Sequence, residues 1–404
     1  MNDFLSNSVK IYVYLGSWPI SHTSSYLENV RYVIGLCFVI AIAIYNACQY
    51  VDIYMQWGQW EYVSENFTVS FIFTIFLFKA FVFYTRRDEI LSIAEEMDRH
   101  VEKLSRENDE GKLKHFLNCQ RRSRAIGQFF WNTTFGTIFV MYAWPVSIIF
   151  RKGDYSLRPL GVRTYLPFSL NATGNYVVAY AGEIILGSAM TMHTIAFDTF
   201  FVGCILFAIA RLRSLQLSIE TVGLDMKKKL RAQNNVGLWE QENFFQQFRV
   251  TSRTELKKCV EEHQEIFALC KIIDSMLSLT LFVVFFIYAG IICLVGFNAM
   301  LLGPSWNLLK LGQYLGALLV QICLYYWHGN ELMTESLTVA DSAVRCDWYD
   351  FGESNIKTIV FIIFRSQKPI LLTAGKFYKV TLETFLLLLS SSYSYFAILK
   401  QFYE

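Results

Sequence analysis

Seven stretches of this chain are apolar over enough residues to cross a bilayer, and no other feature restricts its fold as severely. A hydrocarbon layer about 30 Å thick takes about 20 helical residues, with every backbone group hydrogen-bonded inside the segment. Runs of that kind lie near residues 30–53, 65–84, 125–150, 177–210, 272–298, 313–333 and 377–400. Composition agrees: 54% of the 404 residues are apolar and only 17% are charged, against about 25% charged in soluble domains. The expected fold is therefore an all-α membrane protein with seven transmembrane helices. The first run follows a 29-residue stretch with no short apolar core and small-residue cleavage site, so no signal peptide is expected and Met1 is retained.

Orientation follows from cationic residues, which are retained on the cytoplasmic side in short connections and near span ends. Lys and Arg number ten in 85–124, eleven in 211–271 and five in 334–376. The alternate set of connections holds five in all: Arg151, Lys152, Arg158, Arg163 and Lys310. This asymmetry places the N-terminus in the cytoplasm and the C-terminus outside, the reverse of a G-protein-coupled receptor. No Asp-Arg-Tyr follows the third span and no Asn-Pro-x-x-Tyr ends the seventh, so a receptor signalling through G proteins fits less well. The sequon Asn171-Ala172-Thr173 falls outside as a glycosylation candidate, whereas Asn132-Thr133-Thr134 lies within a span and Asn66-Phe67-Thr68 lies too close to one.

Several chemistries find no support. A net charge of +2 gives no general attraction to nucleic acid. The nine cysteines form no CxxC pair and none lies in the outer segments, which argues against zinc and a disulfide framework. The six histidines form no metal-spaced pair, and nucleophile-elbow, phosphate-loop and dinucleotide motifs are missing. No enzyme activity, cofactor or metal is expected. A transporter should carry matched repeats and broken helices, and seven unmatched spans do not offer them.

The polar connections read as helix. Leu212, Leu215, Ile219 and later Phe244, Phe248 and Leu256 carry spans four and five onward through 211–271, with a mobile turn expected from Gly223 to Gly237. Its run Lys227-Lys228-Lys229 suits headgroup contact. Another helical pattern runs from Thr334 to Phe364 and stops before Pro369. Its apolar stripe needs a partner, which points to oligomerisation. The domain division is then 1–29 cytoplasmic segment, 30–333 spans one to six, 334–376 cytoplasmic helix and link for subunit assembly, and 377–404 span seven with a short outer tail.

The last sixty residues carry a family resemblance. Cys346-Asp347-Trp348-Tyr349-Asp350, Phe364-Arg365-Ser366-Gln367-Lys368-Pro369, Ala374-Gly375-Lys376-Phe377 and Ser391-Ser392-Tyr393-Ser394-Tyr395-Phe396 together resemble the C-terminal signature of insect odorant receptors. The ending Ser394-Tyr395, five residues, Gln401-Phe402 is also similar to that of insect gustatory receptors, with Ser for Thr and Lys400 at a normally apolar position. Trp144-Pro145, Arg158-Pro159-Leu160, Tyr165-Leu166-Pro167-Phe168 and Asp198-Thr199-Phe200-Phe201 fit more loosely.

The resemblance implies a ligand-gated, non-selective cation channel of four subunits in the plasma membrane of a sensory neuron dendrite. Span seven would line its pore and cytoplasmic helices would join the subunits. It also implies a pocket for a small volatile molecule in the outer half of each subunit. This chain lacks the long insertion of the shared co-receptor, which makes it a ligand-selecting subunit expected in a heterotetramer with that co-receptor. A gustatory-type homotetramer is the alternative.

Within that frame the pocket candidates are Phe71, Thr74, Ile75 and Phe78 on span two, Phe135, Phe139 and Tyr142 on span three, Gly187, Met190 and Thr191 on span four, and Tyr314, Ala317 and Leu318 on span six. Each is as readily a core or lipid contact; the nomination rests on the set, since shape and dispersion bind volatile ligands. Ser391, Ser394, Ile398 and Gln401 recur on one face of span seven, with Ile398 the gate and Gln401 an outer ring for permeant cations. Ionisable residues inside spans are costly. Lys79 either snorkels or pairs with Asp198, Glu183 meets water or the pocket, Glu383 draws cations or answers the helix dipole, and His193 packs or lends polarity.

Overall fold

The computed structural model describes residues 4–19, 25–107, 109–152, 160–233, 241–302 and 306–403. The chain folds as α1 (Ser6–Tyr14), α2 (Tyr26–Met55), α3 (Trp60–Thr85), α4 (Arg87–Glu107), α5 (Glu110–Lys152), α6 (Thr173–Gln233), α7 (Gln241–Leu302), α8 (Trp306–Arg345), α9 (Glu353–Ser366) and α10 (Leu382–Tyr403). A short antiparallel hairpin, β1 (Thr373–Ala374) with β2 (Tyr378–Lys379), precedes α10. Each of the seven apolar runs lies largely within one of α2, α3, α5, α6, α7, α8 and α10. By length and composition, four helices among the described residues qualify outright as membrane-crossing: those at Tyr26–Met55, Tyr62–Thr85, Thr173–Lys228 and Phe244–Met300.

α6 is the axis. From Ile195 to Leu212 every side chain is buried, as expected of a helix apolar on all sides. α5, α7 and α8 pack along it, α3 lies against both α6 and α7, and α2 sits outside on α3. Much of α2 therefore faces outward, including Val33, Ile34, Ile40 and Ile44. Its start is fixed by a capping box, in which Ser25 and Glu28 each satisfy the other's backbone N–H.

Four elements depart from the sequence reading. The segment before the first span contains α1, with Phe4, Leu5, Val9, Ile11 and Tyr12 buried in the main core. Ser8 bonds Thr199 at 2.8 Å, and Ser123 donates to the Phe4 carbonyl. The expected turn from Gly223 is helical as far as Gln233, because Lys227 is tied to Asp347 and Asp350; the rest of that turn lies outside the described residues. The single helix read over Thr334–Phe364 is two, parted by a 3-10 turn at Trp348–Asp350 and restarted after Gly352. Span seven likewise begins at Leu382, since Phe377 to Lys379 belong to the hairpin and its approach.

Beyond the apolar spans, ion pairs join the helix ends. Arg211 is 1% exposed and meets Glu96 of α4 and Glu262 and Glu265 of α7 at 2.6–2.7 Å. Arg213 meets Glu331 and Glu335 of α8, and Arg122 of α5 shares Glu331. Gln216 donates to the Glu335 carbonyl and to Thr338. Burial pushes the Glu262 carboxyl up, but the bond and charge of Arg211 outweigh it, and the group titrates below its ordinary range.

His100 of α4 packs edge-on to Phe207, with ring centroids 5.6 Å apart. Burial first, and then the charge of Arg211, lower its pKa from 6.5 to about 4.

Removing Arg211 leaves three carboxylates around a buried gap. Breaking such a pair costs about 3–5 kcal/mol, so Arg211→Met is expected to lower the melting temperature of detergent-purified protein sharply. Arg345→Met, whose partner Glu220 is at the surface, should cost about 1 kcal/mol or less. His100 gives a pH dependence of fixed sign. Its folded pKa lies below its unfolded value, so the unfolded chain takes up a proton first; its stability contribution is full above pH 6.5 and is lost as pH falls toward about 4. Melting curves from pH 7.5 to 4 should show this decline in the native chain and a shallower one in His100→Gln.

Candidate functional site

At the end of the bundle where α5 stops and α6 begins, residues 160–168 fold back over the helices. The Gly161 N–H donates to Glu183 Oε2 at 3.2 Å, and the Arg163 guanidinium lies 4.1 Å from the centre of the Tyr62 ring. Glu183 is buried, and its carbonyl accepts from the Tyr142 hydroxyl at 3.0 Å. Tyr180 in turn donates to the Tyr142 carbonyl. Gly187, one turn along α6, is directly opposite that tyrosine, and a Cβ there would collide with Tyr142 Oη. Glycine is needed here for close approach, whatever its backbone angles.

The structure draws some of the predicted pocket residues together and disperses others. Tyr142, Gly187 and Met190 are buried at this end, with the Thr191 hydroxyl turned back onto the Gly187 carbonyl. Met190 belongs to a small apolar cluster with Ile42, Phe73 and Phe76. Ile75 and Leu318 are buried in the main core, where Phe71 and Phe78 pack as half-buried neighbours. The Thr74 hydroxyl is directed to α2, where Asn46 and Tyr50 bond it at 3.1 and 2.8 Å. Phe135, Phe139 and Ala317 lie exposed on the subunit. The Tyr314 side chain and Arg158-Pro159 fall outside the described residues.

Deeper in the bundle lies a polar centre that connects four helices. Lys79 of α3 donates to both oxygens of Asp198 of α6, at 2.7 and 2.9 Å, and both side chains are 2% exposed. Tyr325 of α8 donates to Asp198 Oδ1 at 2.7 Å, Gln321 donates to Oδ2, and Tyr288 of α7 donates to Gln321 Oε1 at 2.7 Å. A small cavity with space for roughly one water molecule adjoins them. The pairing was legible because two opposite charges inside spans require each other. Gln321, Tyr325 and Tyr288 were missed, although the i, i+4 spacing of Gln321 and Tyr325 was a signal. His193, next to this centre, is surrounded by the rings of Tyr12, Phe76 and Phe83.

α10 has two faces. Thr384, Leu388 and Ser392 are buried at intervals of four against α7 and α8. Ser394, Ile398 and Gln401 lie on the exposed side with Leu386, Leu387 and Tyr393, and Ser391 is half-buried at the margin. Glu383 is exposed in the first turn. Val360, Phe361 and Phe364 of α9 are likewise exposed.

Long apolar helices, an apolar interior and ion pairs confined to buried pairs or polar ends define a helical membrane protein. Comparison supplies its family: the 7tm Odorant receptor model matches residues 59–393, and the chain belongs to that family. It is a receptor and not an enzyme. It is 26% identical to odorant receptor Or2 of Anopheles gambiae over 94% of this chain and 95% of that one, and 23% identical to odorant receptor 10 of Aedes albopictus over 91% of each. Its fold matches the insect olfactory receptor OR5 of Machilis hrabei with a TM-score of 0.77 at 16% identity, covering 98% of this chain and 99% of that one. The same receptor in complex with eugenol matches equally, with a TM-score of 0.77 at 17% identity over 99% and 100% of the two chains.

The Gly187–Tyr142 contact yields a direct test. Gly187→Ala overpacks the junction of α5 and α6 and should destabilise by about 1–3 kcal/mol. Tyr142→Phe removes the colliding atom along with its bond to Glu183. In a double-mutant cycle the pair should therefore be less destabilised than the sum of the singles by about 0.5 kcal/mol or more, read from thermal unfolding; additive effects would contradict the contact.

Proposed function

We propose that this chain is the odorant-selecting subunit of a ligand-gated, non-selective cation channel in the plasma membrane, assembled with the shared odorant co-receptor. Membership of the odorant receptor family carries the reading. The eugenol complex of the Machilis receptor supports a small organic ligand, and the buried junction of Tyr142, Gly187 and Met190 supports the outer half of the bundle as its site. An apolar ligand would enter by displacing aromatic contacts, with few polar groups to orient it.

The seven apolar runs support seven spans and the cation asymmetry supports the N-terminus inside, with Asn171 as an outer glycosylation site; Asn171 is exposed. By contrast Asn66 is buried and bonded to Asp52 at 2.8 Å. The uncovered apolar faces of α9 and α10 favour assembly, with α9 at subunit contacts and α10 around a central axis in a four-subunit channel. Ser391, Ser394, Ile398 and Gln401 then border the pore. A ring of Ile398 closes it by dewetting, and Gln401 amides replace part of a cation's hydration shell.

Three measurements test this. Whole-cell current under a panel of volatile esters, alcohols, terpenes and aromatics, with G-protein signalling blocked, should appear only when this chain and the co-receptor are expressed together; current from this chain alone would support a self-sufficient channel. Ile398→Ala should raise current in the absence of odorant, and an unchanged closed state would remove Ile398 as the gate. Peptide N-glycosidase treatment should increase gel mobility of the native chain and leave Asn171→Gln unshifted, and no shift in either would remove Asn171 as a modification site.

A further inference from the structure

The polar centre contains one group that its bonds do not account for. Thr280 of α7 is 1% exposed, yet its hydroxyl has no hydrogen-bond partner among the described residues. Among the other serine and threonine hydroxyls of α7, Thr251, Thr254 and Ser275 turn back onto the Gln247, Val250 and Ile272 carbonyls and Ser278 meets Thr373, while the buried Ser252, like Thr280, has no partner among the described residues. Thr280 instead borders the small cavity, whose wall also includes Lys79, Leu281, Val284 and Gln321. Lys79 is the complementary group. Its ammonium carries three N–H donors and gives two to Asp198.

The bonds around Asp198 differ in how readily they can be exchanged. Separating Lys79 from Asp198 would strand two buried charges, so α3 and α6 are held together at this level. α8 and α7 are joined to that pair by Gln321, Tyr325 and Tyr288. Bonds of that kind contribute only about 0.5–1.5 kcal/mol each when neutral, and somewhat more where they reach the carboxylate. With α7 and α8 pinned to α6 at the polar end by Arg211 and Arg213, a tilt of α7 and α8 about those ion pairs is the cheap motion at this level, and the cavity leaves room for it on the α7 side. α7 also packs against α10.

We propose that Thr280 is a latch: when α7 shifts into the cavity its hydroxyl accepts the third N–H of Lys79, and this bond stabilises the conducting conformation. Thr280 is thus a positioning residue that couples the ligand-binding helices to the pore helix without touching ligand or ion. The proposal rests on the channel reading above.

The test uses the full chain co-expressed with the co-receptor, with eugenol and the volatile panel as probes and surface labelling to normalise expression. Thr280→Val, which keeps the shape and removes the acceptor, should move the half-maximal odorant concentration upward by about two- to tenfold, the worth of one hydrogen bond, and lower current without odorant. Thr280→Ser should restore the native response, and Val284→Ile, which fills the cavity, should raise the half-maximal concentration as Val does. An unshifted or leftward-shifted Thr280→Val response, equal effects of Val and Ser, or an unshifted Val284→Ile response overturns the latch while leaving the channel reading intact. Surface-expressed native complex that conducts under no condition overturns the channel reading, and the latch with it.

Discussion

Complete burial of the middle of α6 is the constraint on which the rest of the structure depends. A helix with no face toward water or lipid cannot release a polar side chain to solvent, so each one it carries must be matched by a residue from a neighbour. Asp198 takes Lys79, Tyr325 and Gln321. Thirteen residues on, Arg211 takes carboxylates from α4 and α7, and Arg213 takes those of α8. These partners come from different elements, so matching the charges of α6 also fixes the positions of α3, α4, α7 and α8 around it. Two of the commitments lie at different depths, one in the apolar zone and one at its polar end. Together they restrain sliding of the neighbours along α6 as well as rotation.

How much of this was legible follows from the range of each signal. The apolar runs marked the long helices because span length is a local property. Lys79 and Asp198 were recognisable as a pair because charges inside spans are few. The partners of Arg211 were not, since Glu96, Glu262 and Glu265 are three among many acids in polar segments and only the packing of α4 and α7 selects them. α1 escaped notice because nine residues ahead of the first apolar run are too few to mark a span, although Leu5, Val9 and Tyr12 share a face. Among pocket candidates, helical spacing defined a face without its neighbour: Thr74 shares a helix with Phe71 and Phe78, but its hydroxyl is taken by α2.

The C-terminal signature has a physical reading as well. Gly375 and Lys376 both have positive φ, and a Cβ at Gly375 would collide with Phe282 of α7. Only glycine meets both demands. The Gly375 N–H donates to the Ser278 carbonyl at 2.8 Å, and Thr373 donates from its backbone and hydroxyl to Asp274 at 2.6 and 3.0 Å. The hairpin therefore clamps the start of α10 onto α7, two residues from Thr280. A tilt of α7 at this level would be delivered at that point to the base of α10.

The serine run in α10 decides how that motion can be received. Ser390, Ser391, Ser392 and Ser394 each bond a carbonyl three or four residues back. Their polarity is satisfied within the helix, so any of them can face protein, lipid or water at little cost. Small size is then their external property, and it permits close approach on the buried side, where Ser392 lies, and leaves room on the other. Large side chains stand on the exposed side both before the serines, at Leu386 and Leu387, and beyond them, at Tyr395 and Ile398, with Gln401 at the far end of the same helix. A helix clamped at its base moves most at its far end, so a small tilt at the hairpin would have its largest displacement near Ile398.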